Sequence, residues 1–183
     1  MITMIILAFI VLLIIYTIYI YNRLIQLRNL NKEAFSGIDV QLKQRANLIP
    51  NLIETVKGYM GHERGVLEKV TELRTQVLSS TNMKEREQNE NMLTGALKSL
   101  FAVSENYPDL KANQNFIDLQ QTLTSIENQI QLARRYYNGT VRDLNIAIQS
   151  FPSNIIANSF NFTPAEFFEI QDVKEKEVPT VKF

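Results

Sequence analysis

Two regimes of hydrophobic patterning divide this chain. Over residues 1–22 nearly every position is apolar, Ile and Leu predominate, and the first charged side chain is Arg23. A helix of about 20 such residues rises roughly 30 Å, the thickness of a bilayer's hydrocarbon core. Tyr16, Tyr19 and Tyr21 crowd the C-terminal end of the run, as aromatic residues do at a membrane interface. Thr17 can bond a backbone carbonyl a turn earlier. The pattern predicts a transmembrane helix over 1–22. A cleaved signal peptide would need a basic start, a shorter apolar core and small residues at a cleavage site, and the run has none of these. A buried soluble helix would need apolar partners on all sides.

Beyond Arg23 apolar residues recur every three or four positions, the mark of a helix with one buried face. Leu24, Leu27, Leu30, Ala34, Ile38, Leu42, Ile49, Ile53, Val56 and Met60 make one stripe, interrupted by Arg45, and predict a helix over 23–60. It continues the membrane helix, except that Pro50, lacking an amide donor, should kink or reset it. Val66, Val70, Leu73 and Val77 predict a second helix over 63–80. Met92, Ala96, Leu100 and Val103 predict a third over 84–104, and Tyr107–Pro108–Asp109 reads as a turn. The longest stripe runs Phe116, Leu119, Leu123, Ile126, Ile130, Ala133, Tyr137, Val141, Leu144, Ile148 and Phe151, and predicts a helix over 112–151 ended by Pro152. No segment alternates long enough for a sheet, so the fold class is all-α.

Helix lengths and short links constrain the architecture. Two long helices of about 60 Å and two of about half that length suit an antiparallel four-helix bundle that continues from the transmembrane helix. The fourth helix would then bring the chain back to the membrane surface near Phe151. From Leu144 to Ala165 no residue is charged, yet Ile155, Ile156, Phe160 and Phe162 stand among Ser and Asn. Over 152–171 the chain therefore reads as an uncharged, hydrophobic, membrane-proximal segment. Thr163-Pro164-Ala165-Glu166 has the form of a helix start and should open a short helix carrying Phe167 and Phe168. Phe151, Ile155, Ile156, Phe160, Phe162, Phe167 and Phe168 are the candidates for contact with the bilayer interface or a neighbouring subunit. The plainer reading is that they cap the open end of the bundle. Residues 172–183 read as a charged, flexible tail.

Charge changes the picture in two ways. The 19 basic and 19 acidic residues cancel, so the chain has no net field to attract nucleic acid. Arg23, Arg28, Lys32, Lys43 and Arg45 follow the span closely and no cation precedes it. The bias of basic residues toward the inside then puts the N-terminus outside and the helical body in the cytoplasm. Cysteine is absent, which removes disulfides, thiolate chemistry and Cys-type zinc sites.

Candidate chemistry is sparse. The single histidine, His62, sits at a predicted helix junction and reads as a turn residue or cap. Di-iron bundles need two Glu-x-x-His pairs and hydrolytic zinc sites need several ligands, which one histidine cannot provide. No phosphate-binding loop or nucleophile elbow is present. No cofactor is expected and the chain does not read as an enzyme. Glu68 with Glu72, and Glu87 with Glu90, read as solvated helix faces. Asp39, Arg45, Asn47, Asn51 and Glu54 surround the first stripe, and Arg134, Arg135, Asn138, Arg142 and Asn145 the last. Of these Asp39, Arg45, Asn51, Glu54, Arg134, Asn138 and Arg142 are expected as buried polar residues that fix helix register. A partner-binding surface is the alternative.

Five blocks, LIPNLIETVKGYMGHE (48–63), YPDLKANQNF (107–116), ARRYYNGTVRDLN (133–145), AIQSFPSNIIA (147–157) and FFEI (167–170), resemble in content and order the signature blocks of the LemA family. The resemblance implies a bacterial membrane protein with an N-terminal anchor and an antiparallel helical bundle, located in the plasma membrane. It implies no established enzymatic activity and no catalytic residues to carry over. Some members are linked to membrane remodelling or envelope maintenance, and gene neighbourhoods point to a membrane metallopeptidase as a partner.

Together these readings predict a single-pass helical scaffold that self-associates at the bilayer and influences membrane organisation. An adaptor or regulator of a membrane peptidase is the alternative.

Overall fold

The structure is a computed structural model that describes residues 1–61 and 63–168. His62, residues 169–171 and the tail expected over 172–183 lie outside the described residues. Among the described residues all regular structure is helical: α1 (Ile2–Lys57), α2 (Arg64–Ser79), α3 (Met83–Ser104), α4 (Pro108–Lys111), α5 (Gln114–Gln149) and α6 (Ser153–Ser159). The N-terminal stretch of α1 is long and apolar enough to cross a membrane, and residues 1–19 are exposed, burial beginning at Ile20. Thr17 there donates its hydroxyl to the Leu13 carbonyl at 2.8 Å, which spares an apolar surrounding an unpaired polar group.

The chain divides into two compact units, residues 1–41 with 129–167 and residues 42–128 with Phe168. In the second unit Ile49, Leu52 and Val56 of α1, Val70, Leu73 and Val77 of α2, and Leu93, Leu97 and Leu100 of α3 share one core. Leu110 of α4 and Phe116 and Leu123 of α5 complete it. Residues 107–109, expected as a plain turn, begin α4, with Pro108 at its first position, where the missing amide costs nothing. Asn82 caps α3 by accepting from the Glu85 amide at 2.8 Å, and Asn113 accepts from the Phe116 amide at 3.2 Å at the start of α5.

Two expectations about this unit are corrected. Of the kink or reset expected at Pro50, the reset does not occur, and α1 continues through it to Lys57. Proline at position 50 removes the donor that the Ala46 carbonyl would otherwise receive one turn later. Arg74 of α2 supplies the replacement, donating from Nε to the Ala46 oxygen at 2.7 Å. The buried stripe of α3 is also one residue out of the expected phase. Leu93, Leu97 and Leu100 are buried, Ala96 and Val103 pack partly buried against the same core, and Met92 is 42% exposed, because a face centred on the leucines buries more apolar area than one centred on Met92 and Ala96.

In the first unit α1 and α5 run antiparallel. Phe35 meets Tyr137 with ring centroids 5.7 Å apart, and Asn31, one turn nearer the N-terminus, donates to the Thr140 hydroxyl at 3.1 Å. Nearer still to the N-terminus, Ile20, Leu24 and Leu27 share a core with Leu144 and Ile148 of α5, Ile156 and Ala157 of α6, and Phe162. After α5 ends, the Ser153 hydroxyl lies 2.6 Å from the Ala147 carbonyl and 2.9 Å from that of Ser150, serving acceptors the helix end leaves open. The next helix is α6, which closes in a Schellman motif. Asn161 adopts φ 55°, its amide bonds the Asn158 carbonyl at 3.2 Å, and the Phe162 amide reaches the Ala157 carbonyl at 2.9 Å. That left-handed step turns the Phe162 ring inward onto Ala157.

The short helix expected to open at Thr163 is not formed over 163–168. The backbone that would build it is bonded elsewhere. The Ala165 amide donates to the Asn145 side-chain oxygen at 2.8 Å, and the Asn145 amide group returns a bond to the Ala165 carbonyl at 2.9 Å. The Tyr137 hydroxyl then donates to the Glu166 carbonyl at 3.0 Å. Three hydrogen bonds to α5 replace the first turn of a helix.

Candidate functional site

Two groups of residues stand out, one in each unit. In the first, the chain returns to α1 where its apolar run gives way to charge. Tyr21 lies 4.8 Å from Phe160 and 6.0 Å from Phe162 between ring centroids. Arg28 places its guanidinium carbon 5.2 Å from the centre of the Phe162 ring, a cation–π distance. Of the seven aromatic and aliphatic residues singled out in the sequence, Ile156, Phe162 and Phe168 are buried. Phe151 is 80% exposed, Ile155 58%, Phe160 54% and Phe167 49%. The segment thus has two faces: Ile156, Ala157 and Phe162 inward, and Phe151, Ile155 and Phe160 outward.

Tyr137 stands beside this group. Burial pushes its phenol above the ordinary value; the Asn31 side chain opposes that shift and the Glu166 carboxylate adds to it. The neutral phenol is the form that can donate to the Glu166 carbonyl.

The group in the second unit centres on Arg45. Its side chain lies within the apolar stripe of α1, between Leu42 and Ile49, where the sequence reading placed an interruption. One guanidinium nitrogen donates to Thr94 of α3 at 2.7 Å and Glu127 of α5 at 2.5 Å. The other donates to the carboxylate of Glu90. Arg45 and Glu90 are fully buried and Glu127 is a quarter exposed. A cation removed from water at this cost persists only when carboxylates and hydroxyls are arranged around it.

Glu87 and Glu90 correct a further reading, since both are buried and not on a solvated face. Their positions precede Leu93 and Leu97 at helical spacing, so the α3 stripe read in its observed phase would have found them. Glu68 and Glu72 are exposed, and Glu72 pairs with Lys69 at 3.0 Å.

The other expected register residues are dispersed. Arg134 is buried and Asp39 and Asn138 are half-buried. Asn51, Glu54 and Arg142 are exposed: Glu54 pairs with Lys57 at 2.6 Å and Arg142 with Asp143 at 3.0 Å. Each of these three points away from its helix's apolar stripe, so no described residue covers it. Thr94, Glu90, Glu127 and Arg74 were missed because their partners come from other helices.

Comparison with known proteins agrees with the sequence blocks. The chain is 26% identical over 163 residues to Protein LemA of Metamycoplasma hominis, covering 87% of this chain and 73% of that one. It is 23% identical over 175 residues to Magnetosome protein MamQ 2 and to Magnetosome protein MamQ 1 of Paramagnetospirillum magneticum, covering 81% of this chain. It spans 64% of the length of each MamQ protein. The LemA family model matches residues 34–183, from the middle of α1 onward, and the chain belongs to the LemA family.

Proposed function

We propose that this protein is a single-pass, membrane-anchored helical scaffold of the bacterial plasma membrane that self-associates at the bilayer and influences membrane organisation. One observation carries the reading. The apolar stretch that opens α1 is unburied, and the same helix goes on without interruption to supply core residues to both units. A helix built this way holds a folded body against a bilayer. In this reading the ends of α1 and α5 in the second unit form an antiparallel four-helix bundle with α2 and α3. The cluster of Arg23, Arg28 and Lys32 just past the span supports an N-terminus outside and a cytoplasmic body.

Chemical crosslinking in native membranes tests the self-association, with ladders of the chain expected and monomer alone counting against it. Purification in mild detergent should return mainly the chain itself. A stoichiometric membrane peptidase in its place would favour the adaptor role.

A further inference from the structure

We propose that the outward face of α6 and its flanks, carried by Phe151, Ile155 and Phe160, is a second membrane contact, embedded in the headgroup boundary where α1 leaves the bilayer. This rests on the reading of α1 as a membrane span.

Three observations lead there. The first is position. Phe160 meets Tyr21 with its ring tilted at 57°, and Ile156 and Phe162 pack with Ile20, Leu24 and Leu27. These α1 residues bracket Arg23, where the apolar run ends. The register set by Phe35 with Tyr137 and Asn31 with Thr140, continued along the antiparallel pair, brings the end of α5 level with Ile20. Phe151 therefore stands at the membrane end of the unit.

The second is composition. An apolar face left to water beside a span is costly in proportion to its area, and these three side chains are each more than half exposed. No charge occurs from Leu144 to Ala165 to oppose entry into lipid, and the polar side chains there are those of Ser, Asn, Gln and Thr. Such a surface suits a depth of roughly 5–10 Å, at the junction of headgroups and acyl chains.

The third is the cations. Arg23 and Arg28 are exposed on the same stretch of α1, where lipid phosphates would meet them while Phe160 and Ile155 enter the layer beneath. A second copy of the chain would cover the apolar side chains equally well, but it would not account for their placement at the end of the span.

The chain contains no cysteine, so single cysteines report cleanly. F9C, I155C, F160C and R135C are each labelled with bimane. The full chain is then reconstituted in phosphatidylcholine–phosphatidylglycerol vesicles whose acyl chains carry bromine just below the headgroups or, for F9C, near the chain ends at the bilayer centre. The proposal expects loss of emission at F9C, I155C and F160C, and none at R135C on exposed α5. Ile155 and Phe160 are largely exposed already, so substitution should leave the circular dichroism unchanged. If F9C is quenched while I155C and F160C stay bright, this proposal is overturned and the anchor stands; disulfide dimers of I155C would then assign the face to a second copy. If F9C itself stays bright, the span reading falls and this proposal falls with it.

Discussion

The guanidinium Nε of Arg74 lies 2.7 Å from the carbonyl oxygen of Ala46, the acceptor that Pro50 leaves without an amide. A side chain from α2 thereby allows a proline to sit within α1. Replacing Arg74 by Leu orphans that carbonyl and should cost about 1–3 kcal/mol. Pro50→Ala restores the amide at position 50, so R74L/P50A should be more stable than R74L alone. Urea unfolding of the full chain in detergent, analysed as a double-mutant cycle, measures the coupling. Strict additivity would remove Arg74 from this role.

Arg45 answers for two carboxylates. Arg45→Met leaves Glu90 charged and buried, a loss of about 3–5 kcal/mol. R45M/E90M removes both buried charges and should recover most of it, since Glu127 can turn to solvent. A double variant as unstable as R45M would mean that the pair contributes through packing alone.

Asn145 separates its two bonds to Ala165 by chemistry. Aspartate at 145 can still accept from the Ala165 amide but cannot donate to its carbonyl. N145D should therefore fall between the wild type and N145A, whose loss should be about 1–3 kcal/mol. Limited proteolysis after Phe160 reads the release directly, and equal resistance of all three chains would contradict the clasp.

Tyr137 predicts an alkaline weakness. Its folded-state pKa is raised, so above about pH 10 the unfolded chain gives up the phenolic proton first. The unfolded state then binds fewer protons than the folded one, and stability falls with rising pH. Below that range the contribution is fully present. Tyr137→Phe should lose about 1 kcal/mol at neutral pH with the Glu166 bond, and its stability should decline less steeply in alkali. Parallel curves for the two chains would show that this phenol does not govern the decline.

Legibility in the sequence followed the reach of each signal. The span and the long stripe of α5 were readable because every turn repeats the same instruction. The stripe of α3 was misphased because its first half is polar and Ala96, Leu100 and Val103 all touch the core in either phase. Glu87 and Glu90 then read as surface, since their burial depends on a cation 45 residues away in the case of Glu90. The helix at 163 was a sound local prediction with Thr, Pro and Glu in their favoured places. It lost to Asn145 and Tyr137, whose bonds to Ala165 and Glu166 no local window contains. The reset expected at Pro50 fails for the same reason, since its remedy is on α2.

An unbroken α1 transmits rotation as well as attachment. Ile20, Leu24 and Leu27 are locked against α5 and α6, so the helix cannot turn about its own axis without unpacking that seam. At 3.6 residues per turn the setting carries down the span. Ile6 and Leu13 take the bearing of the seam, and Val11, Ile15 and Ile18 face the opposite way. The span therefore enters lipid with a fixed compass heading, and any neighbour within the bilayer meets a side of it chosen by the folded chain above.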